Sequence, residues 1–277
     1  MSVTEQVAEL VERRNVIWHF VLSELKSEHR DKLLGNLWHL IDPLAFMLVY
    51  YAVWAVILGR RGPDFMAYLF VGIICYQFYQ SSVVRAAQIL RSHVGLIRGV
   101  YFPKAALPTA VVLSQLYGFL CGLAVLGLLM VFFLINQARM PPEQLAEVHH
   151  PLSVGLNLLW LPLVTGIECL FCLGSSYLFA IAGVWFRDMP NVMAFVLRLS
   201  FYLSPIFYYP EDLPERFRVF YLANPFSHFF GIMRGALIYN RPPSLEGMLY
   251  LTGISLAVLV IGLAVFFRRE GTVVKHL

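Results

Sequence analysis

The chain has 277 residues, of which 59% are hydrophobic and only 14% charged, and its mean hydropathy is +0.68. A soluble domain carries about a quarter charged residues, so this composition excludes one and places the chain in a bilayer. The net charge of +4 then reads as topology and lipid contact rather than as nucleic-acid binding.

A membrane-crossing helix takes about 20 mostly apolar residues, and such stretches fall near 37–59, 65–90, 107–135, 156–183, 190–207 and 248–267. What remains is too short for a soluble domain of ordinary size. The prediction is an all-α integral membrane protein: a cytoplasmic segment 1–36, then a single six-span domain over 37–277.

In the first segment Ile17, Phe20, Val21 and Leu25 recur at helical spacing beside Arg13, Arg14, Glu24, Lys26 and Glu28. This predicts an amphipathic helix in the membrane interface. The charged run Glu28 to Lys32 leads to Trp38, a headgroup anchor, and to Asp42-Pro43 just inside the first span. Acidic residues ahead of the first apolar run, and its interruption by Glu24 and Lys26, argue against a cleavable signal peptide.

Leu96 to Pro108 joins the second and third spans and presents Arg98, Tyr101, Phe102 and Lys104. Pro103 and Pro108 prevent one helix from running through it. A basic loop alone could meet anionic headgroups. The proline-framed rigidity favours an element gripped by something outside the membrane.

Three ionisable residues lie within spans: Arg85, Glu168 and Arg198. Counting about 1.5 Å per residue sets Glu168 in the fourth span and Arg198 in the fifth at comparable depth, which predicts an intramembrane ion pair. Arg85, close to the cytoplasmic end of the second span, is expected to snorkel. Cys75, Cys121, Cys169 and Cys172 lie in apolar runs and read as small core hydrophobes, and the Cys169/Cys172 CxxC spacing has no histidine partners. Arg187-Asp188 ahead of Pro190 marks a tight turn whose aspartate can cap the fifth helix. His149-His150 does not make a metal site without further ligands, and no metal is assigned.

Tyr208 to Ser244 is too polar and proline-rich to span and too aromatic to be a free loop. Pro214 with Glu215 can open one short helix, and Asn224-Pro225 a second carrying the stripe Phe226, Phe229, Phe230, Met233 and Leu237. The segment 208–247 is thus expected to form two short external re-entrant helices, packed in protein where they enter the bilayer. They would gate a channel mouth, or else merely anchor at the interface. Lysine and arginine crowd the amino-terminal segment, the 91–106 loop and the tail (Arg268, Arg269, Lys275), which puts both termini in the cytoplasm. Arg216, Arg218, Arg234 and Arg241 on the other side count against this.

Short words spread along the chain carry a resemblance. They run from Leu34-Gly35-Asn36-Leu37-Trp38 to Asp42-Pro43, then Leu96-Ile97-Arg98, Tyr101-Phe102-Pro103-Lys104 and Leu107-Pro108. Phe186-Arg187-Asp188, Tyr202-Leu203-Ser204-Pro205-Ile206, and Asn224-Pro225 with Arg234 complete the set. In order and spacing the chain resembles the permease subunits of ABC exporters for polysaccharides, a family that includes O-antigen, capsule and teichoic-acid carriers. Ala138 to His150 reads as an inserted loop outside that pattern.

The resemblance implies a homodimer in the bacterial cytoplasmic membrane, enclosing a channel for a lipid-linked polysaccharide above two copies of an ATPase subunit. It makes 91–106 the coupling loop, with Arg98, Tyr101, Phe102, Pro103, Lys104, Arg187 and Asp188 toward the ATPase. In that reading Tyr101 and Phe102 are the apolar anchors, Arg98 and Lys104 set orientation, and the amino-terminal helix also lies against the ATPase. It sets Tyr50, Tyr51, Trp54, Phe201 and Tyr202 in the substrate path, where flat aromatic faces suit sliding sugar rings. The alternative is that these are belt residues and filler. Phe226, Phe229, Phe230 and Arg234 fall at the external gate.

The sequence holds no GxxxxGK(S/T) phosphate loop, so ATP and magnesium would be used by the partner, and this chain is expected to bind no cofactor and to be no enzyme itself. Two other classes stay open. A proton-coupled secondary transporter would use Glu168 and Arg198 but would usually show internal repeats. An intramembrane enzyme would need a histidine near Ser175 and Ser176, or an HExxH motif, and has neither.

Overall fold

The computed structural model describes residues 3–29, 38–57, 64–139 and 151–276; within them the regular elements are helical, and the β contact is an isolated parallel bridge between Ser153 and Tyr239. In chain order the α-helices are α1 (Val3–Glu12), α2 (Arg14–His29), α3 (Trp38–Tyr51), α4 (Phe65–Ser92), α5 (Val94–Gly99), α6 (Ala106–Ala138), α7 (Leu161–Trp185), α8 (Met189–Leu203), α9 (Arg218–Ala223), α10 (Pro225–Leu237) and α11 (Leu245–His276). Among the described residues four stretches are long and apolar enough to cross a membrane: α4, α6, α7 with the 3-10 turn before it, and α11. The apolar helices α3 and α8 are shorter, and α3 continues as a π-helical stretch, Ala52–Ile57. Leu34 to Leu37 and residues 140–150 lie outside the described residues.

The helices fall where the apolar runs place them because the helix-breaking residues sit where a helix tolerates them. Pro108 lies in the first turn of α6, and Pro190 and Pro225 at the starts of α8 and α10, positions whose N–H has no intrahelical partner. Asn224 caps α10 as its sequence suggests, its side chain accepting from the Phe226 N–H at 3.0 Å. Asp188 does not: it occupies the N-cap position of α8 without a side-chain bond, so the helix starts on Pro190 alone. Beyond Pro214 the chain makes a 3-10 turn, Glu215–Phe217, that runs into α9.

The most enclosed helix is α4, buried almost continuously from Phe65 to Tyr76. It packs against α3, α6, α7, α8 and α10, leaving it no lipid-facing stripe over that length. Close backbone approach fixes α7 between α4 and α11: a Cβ on Gly183 would overlap the Ala87 backbone, and one on Gly174 the backbone at Val258 and Leu259. Small residues serve this purpose between membrane helices, where van der Waals packing takes over from the hydrophobic effect.

The two ends of the bundle differ. At one, Leu10, Ile97, Phe102, Leu107, Val184, Phe266 and Val273 form a second apolar cluster that also takes in Ile17 and Phe20. The helix α2 expected to lie in the membrane interface is therefore docked on protein, with Val21 buried and α6 as its main neighbour. At the other end Asp64 is buried and accepts bonds from the Tyr209 and Tyr239 hydroxyls, and Asn157 bonds Asn240. Asn240 holds a positive φ of 47°, a conformation that asparagine tolerates better than most residues.

Candidate functional site

A groove of about 480 Å³ opens between α3, α4 and α8. Tyr50 and Phe46 come from α3, Phe201 and Tyr202 from the end of α8, and Ile73, Tyr76, Gln77, Gln80, Ser81, Val84 and Arg85 from one face of α4. Arg198 of α8 closes the lining. The Tyr50 and Tyr202 hydroxyls lie 3.3 Å apart, and Tyr50 meets Phe201 and Phe207 at ring separations of 6.1 and 4.5 Å. Trp54 stacks on Phe207 at 6.2 Å, one helical turn beyond Tyr50. Of the residues expected in a substrate path, Tyr50, Phe201 and Tyr202 thus share one groove, while Trp54 and Tyr51 pack beside the core rather than in it.

Gln77, Gln80 and Ser81 were not among the residues singled out by the sequence patterns. With Arg85 they recur on α4 at i, i+3, i+4 and i+8, a polar stripe that begins where the apolar first half of the helix ends. That stripe is the legible signal, since polar groups at membrane depth face a cavity or one another. Arg85 does more than snorkel: its guanidinium lies 4.0 Å from Glu24 of α2, and Glu24 also lies 3.9 Å from His93.

The predicted Glu168–Arg198 ion pair does not form. Glu168 is buried among helices, with Cys75 and Cys172 as electrostatic neighbours, and neither of its carboxylate oxygens has a hydrogen-bond partner among the described residues. Arg198 stands exposed on the groove side of α8. Equal depth did not bring them together because the two side chains leave their helices in different directions, one inward toward α4 and one into the groove.

In the loop after α5 the two aromatics part company. Tyr101 is 73% exposed, with the Arg13 guanidinium 5.4 Å from its ring centre and its hydroxyl donating to Glu9 at 3.4 Å. Phe102 is buried, its ring 5.3 Å from that of Phe20, so it anchors the loop within the chain rather than offering a surface outward. Lys104 pairs with Glu270 of α11 at 3.6 Å, and its backbone N–H donates to the same carboxylate. Arg98, Arg187 and Asp188 are exposed, and Pro103 is half-buried. Next to them Phe186 is 62% exposed and Trp185 lies under the Arg269 guanidinium at 4.7 Å.

The residues assigned to an external gate are packed into the core. Phe226 meets Tyr76, Tyr79 and Phe171 at 5.0, 4.9 and 6.1 Å, Phe229 meets Phe171 at 6.0 Å, and Phe230 is fully buried. The helical stripe read from the sequence is correct, but it faces α4 and α7 within the chain. Arg234 lies beneath it, donating to the carbonyls of Tyr68 at 3.1 Å and Pro205 at 2.8 Å, with its guanidinium carbon 3.3 Å from the centre of the Tyr68 ring. Gly72 leaves the space, since a Cβ there would come within 2.7 Å of Arg234 Nη2.

Residues 15–238 match the model of the ABC-2 type transporter family, and the chain belongs to that family. It is 26% identical over 250 residues to the O-antigen export system permease protein RfbA of Klebsiella pneumoniae, covering 89% of each chain. It is 27% identical to the protein of the same name from Myxococcus xanthus, covering 95% of this chain and 96% of the other. The polysialic acid transport protein KpsM of Escherichia coli is 25% identical over 90% of this chain and 91% of its own.

Proposed function

We propose that this chain is the membrane subunit of an ATP-driven exporter that moves a lipid-linked cell-envelope polysaccharide across the bacterial cytoplasmic membrane. The family membership and the names of the relatives support that class, and the groove between α3, α4 and α8 is the observation that carries it to particular residues. One end of the groove offers aromatic rings with polar edges, which bind sugar faces without locking them. The other offers Arg85, Arg198, Gln77 and Gln80, groups suited to the phosphate that joins a glycan to its lipid.

In this reading α3, α4, α6, α7, α8 and α11 are the six spans of a single domain, with both termini cytoplasmic. Two copies of the chain pair over two ATPase subunits. Arg98, Tyr101, Arg187 and Asp188, with Phe186 between them, form the docking surface, while Phe102, Pro103 and Lys104 hold that surface in place. The helix α10 and the turns before it lie at the outer face. Their buried phenylalanines would act on any gate by setting the position of α10 against α4.

The test is transport by vesicles in which the chain is co-assembled with its ATPase, loaded with fluorescent lipid-linked glycan. ATP-dependent movement that fails in Tyr50→Ala/Tyr202→Ala, with the complex still recovered, is the expected result. A proton-driven mechanism would draw on the buried, unpartnered Glu168. Movement that ignores ATP and collapses with a protonophore would replace the present reading with that one.

A further inference from the structure

Arg85 belongs to two places at once. Its side chain lines the groove between α3, α4 and α8, and its Nη1 lies 4.0 Å from a carboxylate oxygen of Glu24 on α2. The other oxygen of Glu24 lies 3.9 Å from Nε2 of His93, about two helical turns beyond Arg85 at the end of α4. The His93 ring is held in place, its Nδ1 3.1 Å from the Ile89 carbonyl and 3.0 Å from the Ser92 hydroxyl. The Glu24 side chain is 15% exposed and that of Arg85 33%, so this pair sits at the edge of the bundle, partly wet.

Glu24 is also tied to the loop after α5. Phe20 stands one turn before it on α2, and residues four apart share a helix face. On that face the Phe20 ring meets His93 edge-on at 6.4 Å and Phe102 at 5.3 Å. Phe102 is buried, and its neighbour Tyr101 is exposed on the docking surface. Contacts therefore run from the groove to that surface: Arg85 to Glu24, along one turn of α2 to Phe20, then to Phe102.

A line of contacts is not yet coupling, which needs an element with two arrangements that both ends bias. Arg85 supplies one. At 4.0 Å its contact with Glu24 is an ion pair without a hydrogen bond, and part-exposed pairs of this kind are weak. A phosphate in the groove offers the same guanidinium two parallel charge-assisted bonds at about 2.7–2.9 Å. It also brings a negative charge toward Glu24, so the stronger contact displaces the weaker.

We propose that Glu24 is a positioning residue of the exporter: with the groove empty it holds Arg85 and keeps α2 seated, and a phosphate-bearing lipid in the groove takes Arg85 from it and loosens α2, to which the docking loop is fastened. This rests on the groove being the path of the lipid-linked glycan, but the response of α2 is measurable without transport.

The test uses the full chain in nanodiscs of neutral lipid, without ATPase, titrated with farnesyl phosphate and with farnesol as the uncharged control. Binding is followed by calorimetry against empty nanodiscs, and the motion of α2 by amide hydrogen exchange over residues 14–26. Farnesyl phosphate should speed that exchange about twofold to fivefold, the weight of a part-exposed ion pair, and farnesol should not. Glu24→Gln should show the faster exchange without ligand, respond no further, and bind farnesyl phosphate about twofold to fivefold more tightly, because nothing competes for Arg85. A purely structural role for Glu24 gives no gain in affinity. Should the single variant fold poorly, Glu24→Arg with Arg85→Glu restores an ion pair of reversed polarity; it should return α2 to the parent's exchange rate and remove the response to phosphate. Binding that leaves α2 unchanged, unaltered affinity in Glu24→Gln, or a charge-swapped chain that still responds each overturns the assignment and leaves the export reading in place. Failure of farnesyl phosphate to bind at all overturns it too. ATP-driven glycan export that persists in Arg85→Gln would then show that this device has failed and the export reading has not.

Discussion

The ring of Phe102 lies 5.3 Å from the ring of Phe20, and through this contact the loop after α5 is fastened to α2. Its neighbour Tyr101 points the other way and is 73% exposed. Two adjacent aromatics therefore have separate duties, one inside the chain and one on its surface.

Phe102→Ala should empty a buried site and cost about 3 kcal/mol of stability, in the range of buried phenylalanine truncations. The measurement is the thermal midpoint in detergent, together with recovery of the chain. Tyr101→Ala should leave both unchanged and instead reduce ATPase recovery with the purified complex. Equal loss of stability in both variants would contradict this division.

Glu168 and Arg198 should behave as independent residues. Because no contact joins them, the stability changes of Glu168→Gln and Arg198→Gln should add to within about 0.5 kcal/mol in the double variant. A coupling energy above about 1 kcal/mol would restore the ion pair in some state of the transporter.

The outer cluster at Asp64 carries a pH dependence. Burial, and then the charge of Asp64, push the phenols of Tyr209 and Tyr239 above their ordinary range. A group whose folded pKa is raised contributes stability in full below its unfolded value, about 10 for tyrosine, and loses it as pH rises toward the folded value. The chain should therefore lose thermal stability steadily above about pH 10, as these phenols ionise on unfolding. Tyr209→Phe/Tyr239→Phe should flatten that alkaline slope. An unchanged slope would show that other groups set it.

The helices were legible because apolar runs and proline positions fix them locally. The Asn224-Pro225 start, the amino-terminal helix and the stripe from Phe226 to Leu237 all lie where their patterns put them. What periodicity does not encode is which neighbour a side chain faces, and most of the corrections come from that gap. Phe226 to Phe230 turned to α4 and α7 and Glu168 away from Arg198 by choices of helix rotation made in tertiary packing, and Phe102 turned to Phe20 by the course of the loop after α5. The groove was half legible. Its aromatics announce themselves near span ends, whereas Gln77, Gln80 and Ser81 matter only once α8 and α3 are set beside α4.

Arg198 should govern how the substrate is engaged rather than whether the chain folds. It is exposed, makes no ion pair among the described residues and lines the groove opposite Gln77, Gln80 and Ser81. Its removal therefore leaves no buried partner stranded, the usual source of large destabilisation. If the basic end of the groove receives the phosphate of a lipid-linked glycan, Arg198→Gln should raise the substrate concentration for half-maximal ATPase stimulation about tenfold, the low end of the weight of one charge-assisted bond. The maximal rate should change much less, and added salt should narrow the gap between variant and parent as it screens the lost charge. Tyr202→Phe, which removes only a hydroxyl 3.3 Å from that of Tyr50, should have little effect on either quantity. An arginine that merely snorkels to lipid would make the opposite prediction. Arg198→Gln would then match the parent at every substrate concentration and salt, and the phosphate end of the groove would have to be sought at Arg85 instead.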